Sequence, residues 1–255
     1  MIYEESIFPF RSKDRLEEIA ENHLEVYNSS LIKVPSEITI TDFIERHLRL
    51  ELKFLPISED REILGYMVFK PSKIITYNSS DGRKQYLNIA EPSVIVDSEL
   101  SDNSKAIGRF RFTCAHEAAH WILHRDYFLQ DGEHSLVSDS EDIFKDNSNE
   151  DYRDNIENDE RMEWQANYLG GALLMPKRTF TKEFLKTLLL LGINNQPYLY
   201  RDSQLCNINN YRYMISKITS VFNVSKEAAR IRLLQLNLLK EEEYNQNNSR
   251  HRIIN

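Results

Sequence analysis

The chain has 255 residues, 41% hydrophobic and 28% charged, which suits one or two globular domains with a sizeable core. No run of about 18 apolar residues could cross a bilayer, two cysteines cannot make a disulfide scaffold, and seven glycines without a G-x-x-x-x-G-K or G-x-G-x-x-G exclude a glycine-rich phosphate loop. The net charge of −8 sits in residues 139–160, which hold ten carboxylates and two bases, while the rest of the chain balances.

That acidic stretch predicts a solvated loop, because it has too little apolar surface to order itself. It lacks the ligand spacing and central glycine of a calcium loop. The first residues are acidic where a secretory leader needs a basic and then an apolar stretch. With so few cysteines, the expectation is a cytoplasmic protein with no membrane partner.

In chain order, residues 12–28 predict an amphipathic helix with Leu16, Ile19, Ala20, Leu24 and Tyr27 on one face. A second short helix is expected after Thr41, ahead of Phe43, Ile44 and Leu48. The period then shortens. Runs at 50–57, 63–69, 73–77, 85–90 and 93–97 are bounded by Pro56, Pro71, Asp81-Gly82 and Pro92, the punctuation of a small, mostly antiparallel sheet. From about residue 105 helices dominate, and the last fifteen residues are expected to fray. The chain thus divides into 1–105, N-terminal helices and a small sheet, and 106–178, a helical core with an acidic loop over 126–160. A C-terminal helical region, 179–240, and a disordered tail, 241–255, follow.

The chemistry is concentrated in RFRFTCAHEAAHWILHRD, residues 109–126. His116-Glu117-Ala118-Ala119-His120 is H-E-x-x-H in a helical context. Residues four apart stack on one face of a helix, so both imidazoles can reach one zinc ion. Glu117 is turned about 100° from His116, where it can flank the metal without ligating it and serve as a base toward water. A glutamate and two histidines in an apolar helix are costly to bury unless something pairs them.

A third ligand has several candidates. His124 continues the spacing, but eight residues put it roughly 12 Å along the axis from His116, too far for one ion with bonds of about 2 Å. It reads instead as a helix-end residue near the negative pole of the dipole. His134 is a loop alternative, and Cys114 reads as a core thiol. Residues 161–176, RMEWQANYLGGALLMP, read as another helix ended by Pro176. Glu163 there could complete the site, with Asn167 one turn on holding a ligand imidazole by its ring N–H. Glu160 is the local rival.

RFTCAHEAAHWILH followed by EWQANYLGGALLMP resembles the ImmA/IrrE family of bacterial zinc metallopeptidases. That family typically shows R-F-T-x-A-H-E-x-x-H-x-x-L-H and later E-x-x-A-N running into L-L-M-P. The upstream I-K-V-P-S-E-I and the downstream ITSVFNVSKEAARIRLLQLNLL are also similar, so the likeness covers roughly residues 12–240. The resemblance implies an α+β fold, with a gluzincin-like core, a small N-terminal sheet and a C-terminal helix-turn-helix-like region. It implies zinc on His116, His120 and Glu163, with Glu117 as the catalytic acid/base. It further implies a cytoplasmic endopeptidase of narrow specificity that cuts a helix-turn-helix repressor and so relieves repression. Glu163 follows His120 by 43 positions, a long interval that the acidic loop accounts for. The residues after Met175 leave room for helices but not for the extra sensory domain of larger relatives.

The rival reading is a DNA-binding regulator with a structural or vestigial metal site. Ile215, Ile218, Val221 and Phe222 form one apolar face, FNVS a turn, and Ser225 caps a second helix with Glu227 in its first turn. Lys226, Arg230 and Arg232 make that helix basic, but three bases in an acidic chain are a weak nucleic-acid footprint. Arg232 and the tyrosines of 198–213 are also candidates for stabilising an oxyanion.

Overall fold

The computed structural model describes residues 9–59, 63–78, 80–130, 136–137 and 158–242. Nearly all of the acidic segment, and the tail beyond 242, lie outside the described residues, as does His134.

Helix α1 (Lys13–Asn28) starts where a hydroxyl can cap it: Ser12 Oγ accepts from the Arg15 N–H at 3.3 Å. Leu16, Ala20 and Leu24 form its fully buried face, with Ile19 and Tyr27 at the margin. The expected short helix starts earlier than Thr41: α2 (Ile40–Asp42) follows Thr39, runs on into a π-helical turn over Phe43–His47 and delivers Phe43 and Ile44 to the core.

Five of the six following strands were expected: β1 (Glu51–Leu55), β2 (Gly65–Val68), β3 (Ser72–Tyr77), β4 (Lys84–Ile89) and β5 (Ser93–Asp97); the sixth is a short β6 (Leu136–Val137). They make two sheets rather than one. The four-stranded sheet has the order β1-β5-β2-β6, with β2 antiparallel to both neighbours but β1 parallel to β5, from Glu51 opposite Ser93 to Leu55 opposite Asp97. The hairpin of β3 and β4 is a separate sheet that packs on it through Ile74 and Ile89 against Val68 and Ile95. Burial explains the division. All five residues of β5 are buried, as a central strand requires, whereas five of the six residues of β4 are exposed.

Beyond the short α3 (Ser98–Asp102), helices dominate as expected: α4 (Ile107–Gln130), α5 (Asn158–Leu174), α6 (Lys177–Leu190), α7 (Leu205–Phe222) and α8 (Lys226–Gln235). Two three-residue strands, β7 (Leu199–Arg201) and β8 (Leu239–Glu241), pair in parallel and are too short for alternation to announce them. Glu241 is therefore anchored, by Arg201 and Arg230, where a frayed tail was expected to begin. Helix α4 lies between the four-stranded sheet and α5, and α5 packs in turn on α1. No helix among the described residues is long and apolar enough to cross a membrane.

The C-terminal helices fold onto this body. Asn223 ends α7 in the left-handed conformation, and Ser225 caps α8 by accepting the Ala228 N–H at 3.0 Å. Arg111 of α4 reaches both ends of the chain, donating from Nε to the Asn223 carbonyl and from Nη2 to the Ile38 carbonyl, each at 2.8 Å. Arg232 of α8 is buried against Glu17 of α1 with both terminal nitrogens at 2.7 Å, donates from Nε to the Met175 carbonyl, and shares Glu17 with the Tyr168 hydroxyl.

A buried carboxylate stripped of its countercharge is expensive. Arg232→Met is expected to lower stability by about 3–5 kcal/mol in urea denaturation, and Glu17→Met combined with Arg232→Met to restore most of it. A loss below about 1 kcal/mol in the single variant would show that the pair is not carrying this docking.

Candidate metal centre

The site is built where α4 and α5 touch. Helix α4 is alanine-rich on its inner side, with Ala115, Ala118 and Ala119 fully buried. Gly170 of α5 meets it there: a Cβ at that position would lie 3.1 Å from the His116 N and 3.2 Å from the Ala115 carbonyl carbon. The small residues let the backbones approach, and Glu163, two turns earlier on α5, comes to stand over His116 and His120.

Three side chains converge. Nε2 of His116 lies 3.2 Å from Oε2 of Glu163, Nε2 of His120 lies 3.2 Å from Oε1, and the two Nε2 atoms are 2.9 Å apart. Among the described residues this is the one group of three or more His, Cys, Asp or Glu whose donor atoms lie within 4.8 Å of one another. A tetrahedral ion with bonds of about 2.0–2.1 Å needs donors roughly 3.3 Å apart, so the trio fits a metal of that kind. Both imidazoles are buried, whereas the Glu163 side chain is 26% exposed, so the group opens to solvent on the α5 side.

The electrostatics follow from burial and from Glu163. Burial opposes the charged form of His116, but Glu163, joined by Glu117 and Asn167, outweighs it and raises the pKa. For His120 burial prevails and the pKa falls, with Glu163 only partly offsetting it. Burial works against the Glu163 anion too, yet His120 and His116 together hold its carboxyl well below the usual range. Asn167 also favours charge on His116, as expected of a neighbour one turn along from Glu163. Its Oδ1 and the Nδ1 of His116 are nevertheless both buried without a hydrogen bond.

Glu117 stands outside the trio. It is 1% exposed, its Oε1 has no hydrogen-bond partner, and burial, reinforced by Glu163 and opposed by His116, pushes its pKa up to about 8. Strand β2 crosses directly above it. A Cβ on Gly65 would fall 2.8 Å from Oε1 of Glu117 and 2.8 Å from Cγ2 of Thr113, so only glycine lets the strand lie this close. Thr113 is one turn before Glu117 on the same face, buried, with its hydroxyl unpaired.

The other candidates are placed elsewhere. Glu160 is exposed and outside the trio. Cys114 is a buried core thiol whose pKa burial raises strongly. Arg232 is engaged by Glu17, which removes it as an oxyanion donor. His124 is not a helix-end residue, because α4 continues past the expected loop start at Asp126 to Gln130; it is wholly buried behind His120. Gly65 and Thr113 escaped the sequence reading. Thr113 carried a signal in its four-residue spacing from Glu117, whereas nothing local marks Gly65.

Compared with known proteins, the chain matches the family profile described as the IrrE N-terminal-like domain, peptidase M78, over residues 62–189. No curated protein matches it. The matched span holds β2, α4 and α5, and so every side chain of the trio together with Glu117.

Overpacking at the β2 crossing makes a direct test of this geometry. Gly65→Ala is expected to cost about 1–3 kcal/mol, read by chemical denaturation. The loss should shrink in a Glu117→Ala background, where the carboxylate no longer meets the new methyl. An undiminished loss there would locate the conflict at Thr113 alone.

Proposed function

We propose that this chain, which belongs to the IrrE N-terminal-like (peptidase M78) family, is a zinc-dependent endopeptidase with His116, His120 and Glu163 as its metal ligands and Glu117 as its acid–base group. The observation that carries the reading is the convergence of two imidazole nitrogens and a carboxylate beside a second, buried carboxylate whose Oε1 has no hydrogen-bond partner. Two histidines and a glutamate are a donor set of catalytic zinc, which keeps its fourth position open. Zinc bound there would polarise the scissile carbonyl and bring the pKa of water down to about 7.

The protein's own part falls mainly to Glu117. Its unpaired Oε1 can take a proton from the attacking water and release it to the nitrogen of the departing amine. Glu163 offsets the charge of whatever cation the imidazoles hold, and β2, crossing at Gly65, covers one side of Glu117.

The substrate we propose is a helix-turn-helix repressor in the cytoplasm, as the likeness of the two sequence motifs implies; the free thiols Cys114 and Cys206 suit a reducing compartment. Protein is favoured over DNA by what has become of the bases on α8. Arg232 is buried on Glu17, and Arg230 is paired with Glu227 and Glu241. Little of the apparent positive charge is left for phosphates.

The roles make unequal demands, which metal analysis beside a cleavage assay on a candidate repressor separates. Glu117→Gln is expected to keep near-stoichiometric zinc and to lose cleavage, because the amide cannot accept the proton. His116→Ala and Glu163→Ala should lose metal and activity together, while Glu160→Ala matches the wild type in both. Zinc retained in Glu163→Ala but lost in Glu160→Ala would mean that the other glutamate is the ligand. Salt-sensitive binding of a specific operator fragment at near-physiological salt would favour the DNA reading instead.

A further inference from the structure

His124 has no place in the scheme above, yet it is wholly buried one turn beyond His120. Its Nδ1 lies 3.0 Å from Nδ1 of His120, with the rings 5.0 Å apart and inclined at 63°. A hydrogen bond across that gap needs one protonated and one bare nitrogen. Which is which follows from the far side of the His120 ring. Nε2 of His120 is the atom aimed at His116 and Glu163, and only a bare lone pair there can take a metal. The His120 proton therefore sits on Nδ1, and Nδ1 of His124 accepts it. His124 must then be neutral, with its own proton on Nε2.

We propose that His124 is a positioning residue for the metal ligand His120: by accepting the Nδ1–H of that ring it fixes the tautomer and the ring plane in which Nε2 faces the metal. The inference rests on the ligand set proposed above. His124 cannot be a ligand itself, since it is two helical turns, roughly 12 Å, from His116 and turns its Nδ1 to the back of the His120 ring. Ligand histidines usually donate their second N–H to a carboxylate, a carbonyl or water. A neutral imidazole in that role supplies the orientation without another negative charge, in a site that already holds Glu163 and Glu117. The spacing H-E-x-x-H-x-x-x-H then has a reason of its own: residues 116, 120 and 124 stack along one face, so the second and third rings meet through their Nδ1 atoms.

Zinc affinity of the full-length protein, measured by competition with a chromogenic chelator, tests this without any substrate. His124→Leu fills the space but removes the acceptor, His124→Ala removes both, and His124→Asn restores an acceptor oxygen near the position of Nδ1. The Leu and Ala variants are expected to bind zinc about 10–100-fold more weakly, and the Asn variant to recover to within a few-fold of wild type. Cobalt substitution should show displaced d–d absorption bands in Leu and Ala but not in Asn, a signature that a merely stabilising side chain would not move. Wild-type zinc affinity in either acceptor-less variant, or equal loss in Asn and Ala, overturns the inference. Failure of the ligand set is a separate outcome, seen as wild-type zinc binding no tighter than that of His116→Ala.

Discussion

The arrangement depends on how closely two helices approach. Where α5 passes α4, Gly170 lies against the backbone of His116, and a methyl group there would already press on the peptide between Ala115 and His116. Alanines on the facing side of α4 continue the small surface. Close packing of this kind gains dispersion contacts along the whole interface. It also sets the reach of the side chains at the rim: a glutamate on the second turn of α5 can span to two imidazoles only if the helix axes are near. The convergence of His116, His120 and Glu163 is thus a product of helix packing, and the glycine that permits it carries no chemistry itself.

Burial makes the same region electrostatically demanding. Three histidines and Glu117 are nearly inaccessible, and such groups are stable only when they answer one another. His116, His120 and Glu163 do so, and His124 closes the back of the His120 ring. Glu117 and Thr113 each keep a buried polar atom without a hydrogen bond under β2, as His116 does at Nδ1. Local chemistry left unsatisfied in an otherwise well-packed fold is characteristic of working sites. The contrast with Glu17 and Arg232 is instructive, because that buried pair is satisfied on every side and has the character of a structural tie.

The C-terminal helices take on a different meaning once they are seen docked. As a pair joined by Asn223 and capped by Ser225 they have the shape of a helix-turn-helix, but Arg232 of α8 faces inward and Arg230 faces acids of the same chain, which leaves Lys226 as the exposed base of that helix. Arg111, close before His116 and His120 on α4, holds the carbonyl of that same Asn223. The turn between α7 and α8 is therefore fastened to the helix that carries the site, and α8 to the helix at the opposite end of the chain.

What the sequence by itself determined is what is local. The buried face of α1, the common face of His116 and His120, and the cap at Ser225 all follow from spacings of three or four residues, which the helix geometry translates directly into direction. The strands were legible as segments for the same reason, through alternation. Only the tertiary structure decided the parallel placement of β1 beside β5, the approach of Glu163 rather than Glu160 to His116 and His120, the burial of His124, and the partner of Arg232, which lies 215 positions away. Each of these depends on which distant surfaces come into contact, and Gly65 and Gly170 show why one sequence read along its length cannot supply that. A glycine looks the same whether it makes room for a turn, a ligand or another helix, and its function is defined by the atom that arrives beside it.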